Sequence, residues 1–277
     1  MKNVPKIALF VFCLCISWAP LCLAQQKQLR IAAASDLQFA MPEFAQQFQK
    51  QSAVRVSVSY GSSGNFFSQI QNGAPFDLFF AADIDYPRRL NAAGLCEPGT
   101  LYEYALGAIV IWARRDSSLD VAKQGWKAFL DPRAQKIAIA NPAHAPYGRA
   151  AVAAMKSAGI YGQVQSKLVY GENISQTAQF IQSGNAQVGI VALSLALSPA
   201  MRDGQRWEIP ADLYPPLVQG AVVLKSSGKK DAAAAFLDLV KSPAGRNILD
   251  KYGFRRPALN GRPPATAAPS PHSGGAR

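Results

Sequence analysis

Cysteine is almost missing from this chain. Of the four cysteines in 277 residues, Cys13, Cys15 and Cys22 fall within the first 24, and only Cys96 stands beyond them. A single thiol cannot close an internal disulfide, so a domain of this size must be held together by its apolar core. Cys96, with Gly94 and Pro98 close by, reads as a partly buried loop residue rather than a reactive thiol. Histidine is scarcer still, with His144 and His272 alone. No His/Cys cluster therefore has the spacing of a metal site, and a serine nucleophile would have only His144 as its base. The stretch "YGSSGN" also lacks the Gly-x-Ser-x-Gly pattern of a nucleophile elbow. The net charge is +12, but the excess is scattered in pairs such as Arg88-Arg89, Arg114-Arg115 and Arg255-Arg256. Nucleic-acid binding would need clustered basic residues interleaved with aromatics, so it is not expected. Beyond residue 24 no apolar run reaches the length of a membrane span.

The first 24 residues carry Lys2 and Lys6, then "IALFVFCLCISWAPLCLA". This is the layout of a cleavable signal peptide (1–24), with cleavage after Ala24, and it places the mature chain in the periplasm. Removing the two lysines lowers the formal charge to +10. From there on, apolar stretches of strand length alternate with helical patterns: "LRIAAAS", "VRVSVSYG", "FDLFFAAD", "LGAIVIWAR", "KIAIANP", "KLVYGEN", "VGIVALS". That alternation predicts an α/β fold of mainly parallel sheets covered by helices on both faces. There is too much sheet for one small domain, so two lobes are expected. Pro42 sits awkwardly in the first helical pattern, which is expected to begin as a separate short turn. From about Pro257 the composition turns to Pro, Ala, Gly and Ser with no apolar period, which reads as a disordered tail (257–277).

Four strand ends share a feature. Ser35-Asp36 follows "IAAA", Gly61-Ser62-Ser63-Gly64 follows "VSVSY", "NPAHAPYG" (141–148) follows "KIAIA", and Gly171 to Ser175 follows "KLVY", each just before a helix. In doubly wound folds ligands bind beyond the carboxyl ends of strands, where helix starts offer unpaired amides and positive dipole ends. Such a place suits an anion. One Ser or Asn before a helix is an ordinary N-cap, but four such turns exceed what capping requires, and Gly61 and Gly64 would let a ligand approach the main chain. Five charge-assisted hydrogen bonds of roughly 2 kcal/mol would give about 10 kcal/mol before desolvation and closure costs, enough without a salt bridge. Carboxylates such as Asp83 and Asp85 read as caps of the following helix. On the residues alone, three rivals stay open: a receptor for sulfate, phosphate or a thiosulfate-like ion, a serine hydrolase using His144, and a surface interaction protein.

At these positions the sequence resembles the periplasmic molybdate-binding proteins of ATP-binding-cassette importers, a branch of the periplasmic binding-protein superfamily. The resemblance runs from about Leu29 to Phe254 on "AAASDL", "YGSSGNFFSQIQNGAPFDLFFAAD", "IANPAHAPYG", "YGENISQTAQFIQSGNAQVGIVALS" and "KYGF". It implies a two-lobed fold of type II with the ligand in the cleft: lobe 1 from 26–107 plus 217–256, and lobe 2 from 108–216. It implies a non-catalytic monomer without a cofactor, which captures molybdate and also tungstate and hands it to an importer permease. Molybdenum would enter only as its oxyanion, with no residue bonded to the metal. Carried over by position, Ser35 and Ser63 match hydroxyl-bearing ligands, and Tyr147 and Ile174 match donors of main-chain N–H. Ala192 stands where some members carry a tyrosine reaching the ion, and the Tyr147 hydroxyl is expected to compensate. Asp36 is awkward, because a carboxylate beside a dianion is repulsive. Its amide is expected to face the ion while its carboxylate turns away to cap the helix.

Overall fold

The computed structural model describes residues 28–257; the signal-peptide assignment and almost all of the tail assignment lie outside them. In chain order the strands are β1 (Gln28–Ala34), β2 (Arg55–Gly61), β3 (Leu78–Ala81), β4 (Tyr102–Gly107), β5 (Ile109–Ala113), β6 (Ile137–Ala140), β7 (Leu168–Gly171), β8 (Val188–Ala192), β9 (Gln205–Glu208) and β10 (Leu217–Val223). The helices are α1 (Ala40–Gln51), α2 (Ser63–Gln71), α3 (Asp85–Ala92), α4 (Val121–Gln124), α5 (Lys127–Leu130), α6 (Pro146–Ser157), α7 (Tyr161–Val164), α8 (Ile174–Gln182), α9 (Leu193–Ala196), α10 (Lys230–Lys241) and α11 (Pro243–Lys251).

Two five-stranded sheets result, in the orders β2-β1-β3-β10-β4 and β7-β6-β8-β5-β9. In each, the strands of the βα units pair in parallel, and the others complete the sheet antiparallel. The sheets are therefore mixed, because the chain crosses between lobes twice. The apolar run "LGAIVIWA" reads as one strand but divides at Ala108, β4 finishing the first sheet and β5 entering the second. After β9 the chain returns, and β10 inserts between β3 and β4.

Strand alternation distributes the core. In β1, Ile31 and Ala33 face one cluster with Phe44, Phe80 and Phe236, while Ala32 faces another with Phe66, Phe67 and Phe79. Period-two burial on both faces is what a helix-covered sheet requires. The second lobe has one large cluster built on β5, β6 and β8, with Phe129, Ala151 and Met155 from its helices. Cys96 is buried in the first lobe, and desolvation pushes its thiol up to about 12, so it is protonated and inert.

Register sets the position of the strand ends. Ala34 lies beside Gly61 and Ala33 beside Phe80, so the chain leaves β1, β2 and β3 along one edge of the first sheet. In the second, Ala140 lies beside Gly171, so β6 and β7 also end together. After β1 a separate 3-10 turn (Ser35–Leu37) precedes α1, and Pro42 occupies the first turn of α1, where an N–H has no intrahelical acceptor to lose.

Phe236 is fully buried, with its ring about Phe44, Phe48 and Phe80. Phe236→Ala is expected to destabilise the protein by about 3–5 kcal/mol, measured by urea unfolding; a loss near zero would mean that this cluster does not carry the first lobe.

Candidate functional site

The four helix starts converge. Ser63 is the first residue of α2, Tyr147 the second of α6, Ile174 the first of α8, and Ser35 and Asp36 open the 3-10 turn after β1. Amides at such positions have no acceptor within their own helix and lie at its positive end. All five residues line one cavity of about 10 Å³, together with Ala34, Gly61, Ser62, Ala82, Ala145 and Pro146. None of these is a lysine or arginine. The volume lies far below the roughly 300 Å³ at which pockets for organic ligands begin. A larger depression of about 530 Å³, among Trp112, Arg114, Arg115 and Asp203, is open to solvent, mixes charges of both signs and gathers no helix starts. Among the described residues no group of three or more His, Cys, Asp or Glu could hold a metal ion.

The hydroxyls are used unequally. Ser63 Oγ accepts the Ala82 N–H at 2.9 Å, which leaves its own proton available to a guest. Ser35 Oγ bridges the lobes: it donates to Asn173 Oδ1 (3.1 Å) and accepts from the Ser175 amide (3.2 Å) at the start of α8. Asn173 is also the N-cap of α8, accepting from Ser175 and Gln176. Ser62, the N-cap of α2, lies 2.9 Å from His144 Nδ1, and His144 Nε2 lies 3.2 Å from Glu172.

Asp36 departs from the capping expectation. Its turn has no side-chain cap. Instead Oδ2 accepts from Tyr147 Oη at 2.9 Å and Gln219 Nε2 at 2.6 Å, while Oδ1, also buried, has no hydrogen-bond partner. Burial raises the carboxyl from 3.8 to about 6, against hydrogen bonds from Gln219, Tyr147 and the local backbone that favour the charge. The compensating role expected of Tyr147 changes accordingly, because its one proton is directed at Asp36 and its oxygen accepts from Gln219 at 2.9 Å. Gly107 makes room for this group: a Cβ there would lie 2.5 Å from the Tyr147 hydroxyl and 2.8 Å from Gln219 Nε2. Ala192 is buried at the foot of α9, whose Ser194 Oγ donates to the Asp36 carbonyl at 2.8 Å.

The cleft is shut in this structure. The Gly64 amide donates to the His144 carbonyl at 3.0 Å, so the glycine permits contact between lobes rather than approach by a ligand. Arg149 Nη2 lies 2.5 Å from Asp83, whose other oxygen accepts the Asp85 amide. Asn65 reaches Glu172 at 3.1 Å, and Ser175 bonds Gln38.

The two-lobed fold is shared with known proteins. Residues 29–255 match the family described as bacterial extracellular solute-binding protein. The chain belongs to that family. Among relatives of this solute-binding protein, the molybdate-binding protein ModA of Azotobacter vinelandii is 39% identical over 235 residues, covering 84% of this chain and 92% of the relative. ModA of Rhodobacter capsulatus is 38% identical over 226 residues, covering 81% and 87%. The solved structure of the periplasmic molybdate-binding protein of Azotobacter vinelandii superposes with a TM-score of 0.78 at 34% identity, covering 83% of this chain and 100% of that one.

Sequence reasoning missed Gln219 and underrated Ser62, Asn173 and Ser194. Gln219 had a signal, as the polar residue in the apolar run "LVQGAVV". A register shift between Gln219 and Gly220 interrupts the β4–β10 pairing there, a bulge of the kind that re-aims side chains.

A carboxyl raised from 3.8 to about 6 binds its proton more tightly in the folded protein than in the unfolded chain. The stability it contributes is complete below about pH 4 and is lost as pH rises through about 6. Asp36→Asn removes this loss, so the variant should gain up to about 3 kcal/mol on wild type between about pH 4 and about pH 8. Urea unfolding across that range checks the sign, and a parallel pH dependence in both proteins would contradict it.

Proposed function

We propose that this solute-binding protein captures molybdate, and tungstate with it, in the periplasm and delivers it to the permease of an ATP-binding-cassette importer. The observation that carries this reading is one small cavity lined by the starts of three helices and a 3-10 turn and by no basic side chain. The names of the relatives above support the choice of anion. Ser63 donates its hydroxyl, and the amides of Asp36, Ser63, Tyr147 and Ile174 supply the remaining donors to oxygens of the ion. Ser35 contributes after its hydroxyl turns from Asn173. The protein acts as a monomer of two lobes, 26–107 with 217–256 and 108–216, and the ion stabilises the closed form that the permease receives.

Calorimetric titration with molybdate, tungstate, sulfate and phosphate tests this directly, with saturable binding of the first two expected. Ser63→Ala should weaken molybdate binding at least about fivefold, or about 1 kcal/mol; unchanged affinity would remove Ser63 from contact with the ion.

One observation favours a hydrolase: Ser62, His144 and Glu172 lie in sequence of contact, as nucleophile, base and carboxylate would. Ser62 belongs to the first lobe and the other two to the second, so the three meet only when the cleft is shut around a volume too small for an ester and its leaving group. We read them as a closing contact. His144→Ala should weaken molybdate binding a few fold, and wild type should release no product from a nitrophenyl ester above the rate of the variant. Ester turnover by wild type that His144→Ala abolishes would restore the hydrolase.

A further inference from the structure

Asp36 lines the cavity and carries a carboxyl that opposes an anion, and among the described residues its surroundings offer no cation to balance it. From α6 it faces the Tyr147 hydroxyl, from β10 Gln219, and from β4 Tyr104, while Ser194 of α9 holds its carbonyl. Tyr214 is near enough to Tyr147 to push its hydroxyl up further. Both Tyr104 and Tyr147 are pushed well above their ordinary range by burial and by Asp36, so they stay neutral. The nearest arginine on α6, Arg149, is engaged by Asp83 and the Tyr86 hydroxyl. Two acceptors in this group have no donor: Asp36 Oδ1 and Gln219 Oε1, both buried. A 1% exposed carboxylate oxygen without a donor among the described residues is a place where a proton can be held.

We propose that the oxyanion enters together with one proton, taken from solvent and held on Asp36 Oδ1, so that the cleft closes on a dianion and a neutral carboxyl group. Tyr147 and Gln219 keep Oδ2 occupied as an acceptor, which leaves Oδ1 as the oxygen to be protonated. The proton removes the repulsion between carboxylate and dianion, and it turns an orphaned acceptor into a donor within the cavity. Because burial already raises this carboxyl to about 6, little additional bias is needed to protonate it near neutrality once a dianion arrives. The bound form then has the higher proton affinity, so binding takes up a proton and weakens as pH rises above the value of the free protein. Capture is favoured at lower pH and release at higher pH.

The inference rests on the anion-receptor reading, and the experiment separates the two. The mature protein is titrated with molybdate at about pH 7 and about pH 8 in buffers of different ionisation enthalpy, which counts protons exchanged per ion. Wild type is expected to take up close to one proton and to lose about tenfold in affinity per pH unit. Asp36→Asn should take up none and bind with an affinity independent of pH. Gln219→Met, which removes a hydrogen bond to the charged carboxylate, should move the onset of the pH dependence upward, and it serves if Asp36→Asn fails to fold. Binding by wild type with no proton uptake and no pH dependence overturns the proton coupling and leaves the receptor reading standing. So does undiminished uptake in Asp36→Asn. No binding of molybdate by wild type at either pH overturns the receptor reading itself, and this inference with it.

Discussion

An enclosed anion needs opposite charge or a converging set of dipoles, and the whole arrangement of this protein follows from using dipoles. Peptide N–H groups can point at one place only where several helices begin together, because elsewhere in a helix each N–H already has its carbonyl. Parallel strands that end in register supply those beginnings: Ala34 beside Gly61 in one sheet, and Ala140 beside Gly171 in the other. The two edges then have to face each other, which is why the chain crosses between sheets at Ala108 and returns before β10.

Neutral donors come with a condition. A lysine would tolerate approximate geometry, whereas hydroxyls and amides act only at hydrogen-bonding distance and direction. Their positions are accordingly fixed by a surrounding layer of bonds. Ala82 orients Ser63, Asn173 and Ser175 hold Ser35, Ser194 anchors the Asp36 carbonyl, and Gln219 joins Asp36 to Tyr147. Several of these contacts span the lobes, so closing the cleft and completing the site are one event. The Ser62–His144–Glu172 contact spans the lobes and belongs to the same event.

Asp36 is the one carboxyl among the residues lining the cavity. Asparagine would fit the same space without the cost of a buried charge. With aspartate, the site gains a group whose charge depends on pH within reach of neutrality. A buried carboxylate without a cationic partner is unstable in its charged form, and that instability makes it a proton acceptor when negative charge comes near.

Much of this was readable beforehand. The alternating apolar and helical patterns carry the α/β class, because period-two and period-3.6 burial are local consequences of where each segment meets the core. The four turns were legible because turns before helices have a local chemistry, the family resemblance singled out Ser35, Ser63, Tyr147 and Ile174 within them, and the structure places these four and Asp36 on one cavity. The separate turn before α1 was likewise visible in Pro42. Three things were not. Gln219 lies 183 positions from Asp36, Gly64 serves the partner lobe instead of a ligand, and the proton of Tyr147 goes to a carboxylate. Local sequence determined which segments become strands and which turns expose amides. Only the tertiary structure decided what each side chain faces, because hydrogen-bond partners and burial arise from segments brought together across two chain crossings, and no local pattern records that meeting.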